Sequence, residues 1–368
     1  MTGSHSGMSD PSTHAAAPIP VTILTGFLGS GKTTVLNHVL RAPDMADTAV
    51  IINEFGEIPI DHLLVEQAIE NTVVLQNGCI CCTVRGDLVD TLLDLVRRSQ
   101  QGELPPFSRV AIETTGLADP TPIIQTLAKD RMIAPLFTLH RVVATLDAVN
   151  GLSTLQDYPE AVQQLTAADC VLITKSDLTD AQGLAGVKAG LQRINPTAHS
   201  QLVIQGEITT DLVFGAPDAH SHQPHGDINR WLGDGSVHQH DHEGHHDHGH
   251  AHEHSHDHTP NDPNRHNAHV RAFCMRTAQP IAAKALERWL NSLLSLRSKD
   301  LLRIKGIVHV AGRPGPVIIQ AVQHLLHPPT SLADWPDDDH DTRIVFITRD
   351  IAPAAIEASL DLLRNSRT

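Results

Sequence analysis

No apolar run in this chain approaches the roughly 20 residues needed to span a bilayer. Its first 18 residues are small and polar, without the hydrophobic segment of a secretory signal. A soluble globular protein with a loose N-terminal arm is expected. Basic residues are scarce: 27 Lys and Arg stand against 42 Asp and Glu, a formal net charge of −15. Nucleic acid and anionic membranes both reward clustered Lys and Arg, so neither is an expected partner. Cysteine is sparse too. The five present, three of them packed into Cys79, Cys81 and Cys82, do not form a secreted disulfide framework. A reducing, cytoplasmic compartment with free thiolates follows. What is there is a chain of 368 residues, 40% of them hydrophobic, enough to fill two modest cores.

Residues 26–34 read Gly-Phe-Leu-Gly-Ser-Gly-Lys-Thr-Thr, a complete G-x-x-x-x-G-K-[ST] loop after an apolar run and before Val35, Leu36, Val39 and Leu40 at helical spacing. Such a loop binds a nucleoside triphosphate. Gly26, Gly29, Ser30 and Gly31 turn backbone N–H groups toward phosphate oxygens. Lys32 reaches the β and γ phosphates, Thr33 offers a hydroxyl to Mg²⁺, and Thr34 completes the loop.

Short β-branched runs at 19–25, 49–53, 72–75, 109–113, 142–147, 170–174 and 202–205 alternate with helical patterns such as 87–98 and 180–194. This alternation predicts an α/β domain over residues 19–215, a mainly parallel sheet flanked by helices with ligands at the carboxyl ends of the strands. Residues 216–268 are rich in Pro, Gly, Asp and His with almost nothing apolar to bury, and read as a disordered insert. Strand patterns at 270–276, 301–310, 317–322 and 343–348, a helix over 282–296 and a final helix predict a smaller α+β domain over 269–368.

The run ending in Glu113-Thr114-Thr115-Gly116 sits where a Walker B acid belongs, with Glu113 acting on Mg²⁺ and Gly116 admitting backbone to the γ-phosphate. Thr174-Lys175-Ser176-Asp177 is similar to the N-K-x-D guanine loop. There the Asp177 carboxylate would accept from guanine N1–H and the exocyclic amine, a donor pair adenine lacks. Asn53-Glu54-Phe55-Gly56-Glu57 follows a strand at the place of a γ-phosphate-sensing switch. Lys32, Glu54 and Glu113 are the catalytic candidates; whether Glu54 or Glu57 positions water, approaches Mg²⁺ or serves the thiolate metal stays open.

Cys79 and Cys82 have C-x-x-C spacing and Cys81 adds a third soft donor, a set suited to Zn²⁺ or another late transition metal. Three ligands leave a tetrahedral ion one short, as in a site from which metal is passed on; a redox pair and buried unreactive thiols are the competing readings. Cys170 and Cys274 lie inside apolar strand patterns as core residues. Eleven histidines stand between residues 238 and 258, beginning His238, His240, His242, His245, His246, His248 and His250. They should collect divalent metal with little selectivity and lose it below about pH 6, where protons compete.

Together these motifs resemble the CobW family of P-loop GTPases, the group that includes zinc-regulated metallochaperones and nitrile hydratase activators. Lys305-Gly306 after a strand, Trp335 and Val345-Phe346-Ile347 are similar to that family's C-terminal domain. The resemblance implies a GTPase using GTP and Mg²⁺ that binds zinc or cobalt at the cysteine motif and delivers it to a client metalloenzyme. Thr174 in place of Asn is the departure. The rivals are a His-rich metal buffer, a nickel-type insertion GTPase, and an ordinary P-loop kinase or ATPase with a redox cysteine pair. A homodimer is compatible with all of them.

Overall fold

The computed structural model of the chain describes residues 17–52, 73–76, 84–215, 231–232, 270–297 and 299–365. Strand β1 (Ile19–Gly26) buries its last six residues at the middle of a parallel sheet. Around it stand β2 (Thr48–Ile52), β3 (Val73–Gln76), β4 (Arg109–Glu113), β5 (Phe137–Asp147), β6 (Cys170–Thr174) and β7 (His199–Val203). Among the described residues the strand order is β3-β2-β4-β1-β5-β6-β7, all parallel. Strands buried on both faces need apolar residues at every position, which is why they read as continuous runs rather than alternations.

Helices cover both faces: α1 (Lys32–Leu40), α2 (Val84–Gln100), α3 (Thr121–Lys129), α4 (Gly151–Asp157), α5 (Pro159–Ala167), α6 (Ala181–Ile194) and α7 (Thr210–Phe214). The predicted stripe of α2 is the buried one, with Leu88, Leu92 and Leu95 fully enclosed against Val21, Ile23 and Ile112. Helix α6 begins where Asp180 caps it, its carboxylate accepting the Gly183 N–H at 2.8 Å.

Two strand expectations need correction. Of the run expected at 202–205 only Leu202 and Val203 are strand, the end of β7, which starts at His199 and, among the described residues, pairs with β6 alone, while Gln205 turns at φ 52°. An edge strand can leave polar residues facing water, so its first half carries no apolar signal. Strand β5 begins at Phe137, five residues before the expected 142, because the half-exposed stretch 137–141 pairs with the start of β1.

The C-terminal sheet is antiparallel. It holds β8 (Val270–Thr277), β9 (Leu301–Val308), β10 (Val317–Val322), β11 (Leu325–Leu326) and β13 (Thr342–Arg349) in the order β11-β10-β9-β13-β8, with β12 (Thr330–Ser331) on β10. Helices α8 (Ala283–Leu296) and α9 (Pro353–Asn365) pack on one face, where Trp289, 1% exposed, meets Phe346 edge-on at 6.0 Å and donates to Ser359 Oγ at 2.8 Å. The expectation that residues 216–268 have almost nothing to bury needs amending. Leu232 lies in a core cluster with Ile307, Ile318 and Val345, and Trp231 packs beside it.

Lys305 and Gly306, expected after a strand, lie within β9. Arg303 and Lys305, two residues apart and so on one side of β9, face the parallel-sheet domain. Arg303 donates to the Ala167 carbonyl and pairs with Asp169, and Lys305 Nζ donates to Thr197 O at 3.2 Å. Lys305 also sits 5.4 Å from the Trp231 ring centre. Burial, then the Arg303 charge, pushes its amine down to about 7. Val322 and Leu325 join the core of the parallel-sheet domain, closing the seam with apolar surface.

Candidate nucleotide site

The turn after β1 must reverse the chain within five residues and start a helix with its N–H groups aimed outward. Gly31 stands at the N-cap of α1 with φ 92°, a left-handed geometry costly for any side chain but available to glycine. Ser30 anchors the loop: its hydroxyl donates to Phe27 O at 2.6 Å and meets Thr145 Oγ1 of β5 at 2.6 Å. Lys32, 8% exposed, donates to Phe27 O at 3.2 Å, so its ammonium is held at the loop's own mouth.

Glu113 ends β4 in register with Leu24 of β1 and is 4% exposed. Thr33 Oγ1 donates to Glu113 Oε1 at 2.7 Å. A hydroxyl and a carboxylate side by side are hard oxygen donors of the kind Mg²⁺ takes, so the pair fits that ion. Immediately downstream, Thr114 N–H donates to Leu24 O at 2.9 Å, and Ala118 N–H closes a turn on Thr115 O at 3.1 Å. Gly116 lies in that turn so close to the phosphate loop that a Cβ would stand 2.6 Å from Leu28 N.

Thr174 is where the sequence departs from the usual asparagine, and the geometry gives the threonine a job. It is buried, and its hydroxyl donates to Ser30 O at 2.7 Å and is 3.3 Å from Leu146 O. The loop after β6 is thus tied to the phosphate loop through a shorter side chain. Lys175, at φ 55°, donates to Gly29 O at 2.8 Å and to Asp147 Oδ2 at 2.6 Å. Asp177 follows on an exposed turn.

Asp147, at the end of β5, had no role in the sequence reading. Burial works to raise its carboxyl, but the Lys175 hydrogen bond and the N–H groups of Asn150 and Val149 together hold it below the usual carboxylate range. It therefore stays ionised and orients the lysine that braces both loops. An acid at a strand end before a turn, the signal that singled out Glu113, is present here too.

The structure brings Gly26, Gly29, Ser30, Gly31, Lys32, Thr33, Thr34, Glu113, Gly116, Thr174, Lys175 and Asp177 to one edge of the sheet, at and just beyond the carboxyl ends of β1, β4 and β6. Glu54, Glu57, Cys79, Cys81, Cys82 and the histidines of 238–258 lie outside the described residues. Cys170 is buried in the core, and burial pushes its thiol up to about 11.

The family description CobW/HypB/UreG, nucleotide-binding domain, matches residues 20–201, and the cobalamin synthesis protein CobW C-terminal domain matches residues 270–364. The chain is 32% identical over 352 residues to the zinc chaperone YjiA of Escherichia coli, covering 94% of this chain and 99% of that protein. It is 32% identical over 377 residues to the zinc chaperone CobW of Pseudomonas aeruginosa, covering 94% and 91%. The crystal structure of the Zn(II)-bound YjiA GTPase from E. coli superposes with a TM-score of 0.69 at 28% identity, covering 95% of this chain and 99% of that one. With both domains matched and a full-length relative at this identity, the chain belongs to the CobW family of P-loop GTPases.

Proposed function

We propose that this chain is a GTP-hydrolysing metallochaperone that takes up a transition metal at Cys79, Cys81 and Cys82 and yields it to a client metalloenzyme when GTP is hydrolysed. The observation that carries the reading is the edge at which the chain leaves β3. Gln76 pairs with Ile52, and Ile52 pairs with Glu113. The segment bearing the three cysteines is therefore launched from the same edge as the phosphate loop, three strands or about 14 Å away at the ordinary strand spacing.

The chemistry follows from the residues. The chain is a GTPase, and Lys32 supplies positive charge where the γ-phosphate's negative charge grows. Asp177 accepts from the guanine edge, and Lys175 and Thr174 hold that loop against the phosphate loop. Thr33 and Glu113 would hold Mg²⁺, which when bound would neutralise charge developing on the phosphates. Three thiolates are soft donors that suit zinc, and the relatives described as zinc chaperones make zinc the first cargo to test and cobalt the second.

Linkage demands that if metal alters GTP affinity, GTP alters metal affinity by the same factor. Chelator competition with Zn²⁺, with and without a non-hydrolysable GTP analogue and Mg²⁺, should show tightening of about 5- to 150-fold with the analogue. Cys82→Ala should abolish the difference, and a chain lacking residues 238–258 should keep it. Equal zinc affinity in the presence and absence of nucleotide would refute the coupling.

A further inference from the structure

The turn after Glu113 is gripped from behind by a single side chain. Gln164, on α5 and 1% exposed, donates from its amide nitrogen to both Gly116 O and Ala118 O, each at 3.0 Å. Two carbonyl oxygens can only accept, so the amide's orientation is dictated: nitrogen toward the turn, oxygen away from it. Gln164 Oε1 is buried with no hydrogen-bond partner among the described residues, and the residue borders a cavity of about 130 Å³ between the phosphate loop, the end of β5 and helices α4 and α5. An acceptor left in that state is destabilising. The side chain is thus arranged around the needs of the turn rather than its own.

The front of the same turn rests on the phosphate loop at Leu28. A trans peptide is planar, so drawing the Gly116 and Ala118 carbonyls toward α5 points the N–H groups of Leu117 and Asp119 the opposite way. We propose that Gln164 is a positioning residue for GTP hydrolysis: it fixes the height and rotation of the Thr115–Ala118 turn against the phosphate loop, so that the main-chain N–H groups it orients stand ready for the γ-phosphate. Enclosed as it is, Gln164 acts through the turn.

The inference rests on GTP hydrolysis and not on metal delivery. The assay therefore contains GTP and Mg²⁺ but no transition metal, and failure of the chaperone reading leaves its result intact. Gln164→Met keeps the length of the side chain and removes the donors. It should lower kcat about 10- to 100-fold, in line with the cost of a misplacement near 1 Å, with KM for GTP changed by less than about 3-fold. Amide hydrogen exchange should quicken at residues 116–119 while α5 and the sheet keep their protection. Should Gln164→Met fail to fold, Gln164→Leu, likewise apolar and without the donors, is held to the same readings. A folded variant with wild-type kcat overturns the proposal. So does a loss of kcat accompanied by faster exchange throughout α5 and the sheet, which is the behaviour of a merely structural residue.

Discussion

Gly116→Ala is the sharpest test of how the two loops meet. A Cβ at this position stands 2.6 Å from Leu28 N and 2.8 Å from Leu28 Cα. The third neighbour, Leu28 Cδ2 at 2.7 Å, can swing aside, but the two main-chain atoms cannot. Reaching even the short end of ordinary contact, 3.4 Å, requires a separation of about 0.8 Å. The turn cannot simply retreat, because Thr114 N–H is bonded to Leu24 O and Gln164 holds the carbonyls from the other side. The displacement is shared with the phosphate loop, at a cost of about 1–3 kcal/mol in stability. A shift of this size beside the reacting phosphate is worth roughly a 100-fold loss in turnover. Phosphate release under saturating GTP and Mg²⁺, read beside the melting temperature, measures both. Gly102→Ala is the control: φ there is +74° and a Cβ meets nothing within 4 Å, so it carries backbone strain alone and should hydrolyse GTP at the wild-type rate. If Gly116→Ala turned over GTP within about 3-fold of wild type at an unchanged melting temperature, the close approach of turn and phosphate loop would be refuted.

Thr174→Val keeps the shape and removes the donor to Ser30 O; it should cost about 1–3 kcal/mol in chemical denaturation and weaken GTP binding, whereas an unchanged midpoint would show that the hydroxyl contributes nothing. Lys305 makes the domain seam sensitive to pH. Its amine is held down to about 7 in the folded chain against 10.5 ordinarily, so between those values the unfolded chain binds a proton that the folded chain has released, and stability rises with pH. The groups facing it are Arg303, Asp169, Arg141 and Cys170, and the raised Cys170 thiol acts in the opposite direction above its ordinary 9.0. Urea denaturation from pH 7 to 9 should therefore show a rising stability that Lys305→Met flattens; an identical slope in both proteins would rule the buried amine out as its source.

Most of the parallel sheet could be read before any coordinates because its signals are local. A strand covered by helices on both faces is apolar throughout, and the phosphate loop with its flanking strand and helix lies within about twenty residues. The reading failed where neighbours decide the outcome. His199 to Gln201 form a strand only because Cys170 to Leu172 lie beside them. Trp231 and Leu232 look like strays in a polar stretch until Ile307, Ile318 and Val345 are placed around them. Thr174 looked like a defect in a guanine motif, and is buried with its hydroxyl on Ser30 O, 144 residues away in sequence.

The amino-acid order alone determined which chemistry the chain carries, because glycines, a lysine and a threonine at fixed spacing bind phosphate through backbone geometry they create themselves. It also determined the alternation of strand and helix from which the sheet is built. Only the tertiary structure decided how that chemistry is braced: Asp147 on Lys175, Thr145 on Ser30, Gln164 on Gly116 and Ala118, and Arg303 on Asp169 across the seam. The reason is physical. A local motif is specified by residues a few bonds apart, whereas a buried donor finds its acceptor only after the packing of distant segments has excluded water from both.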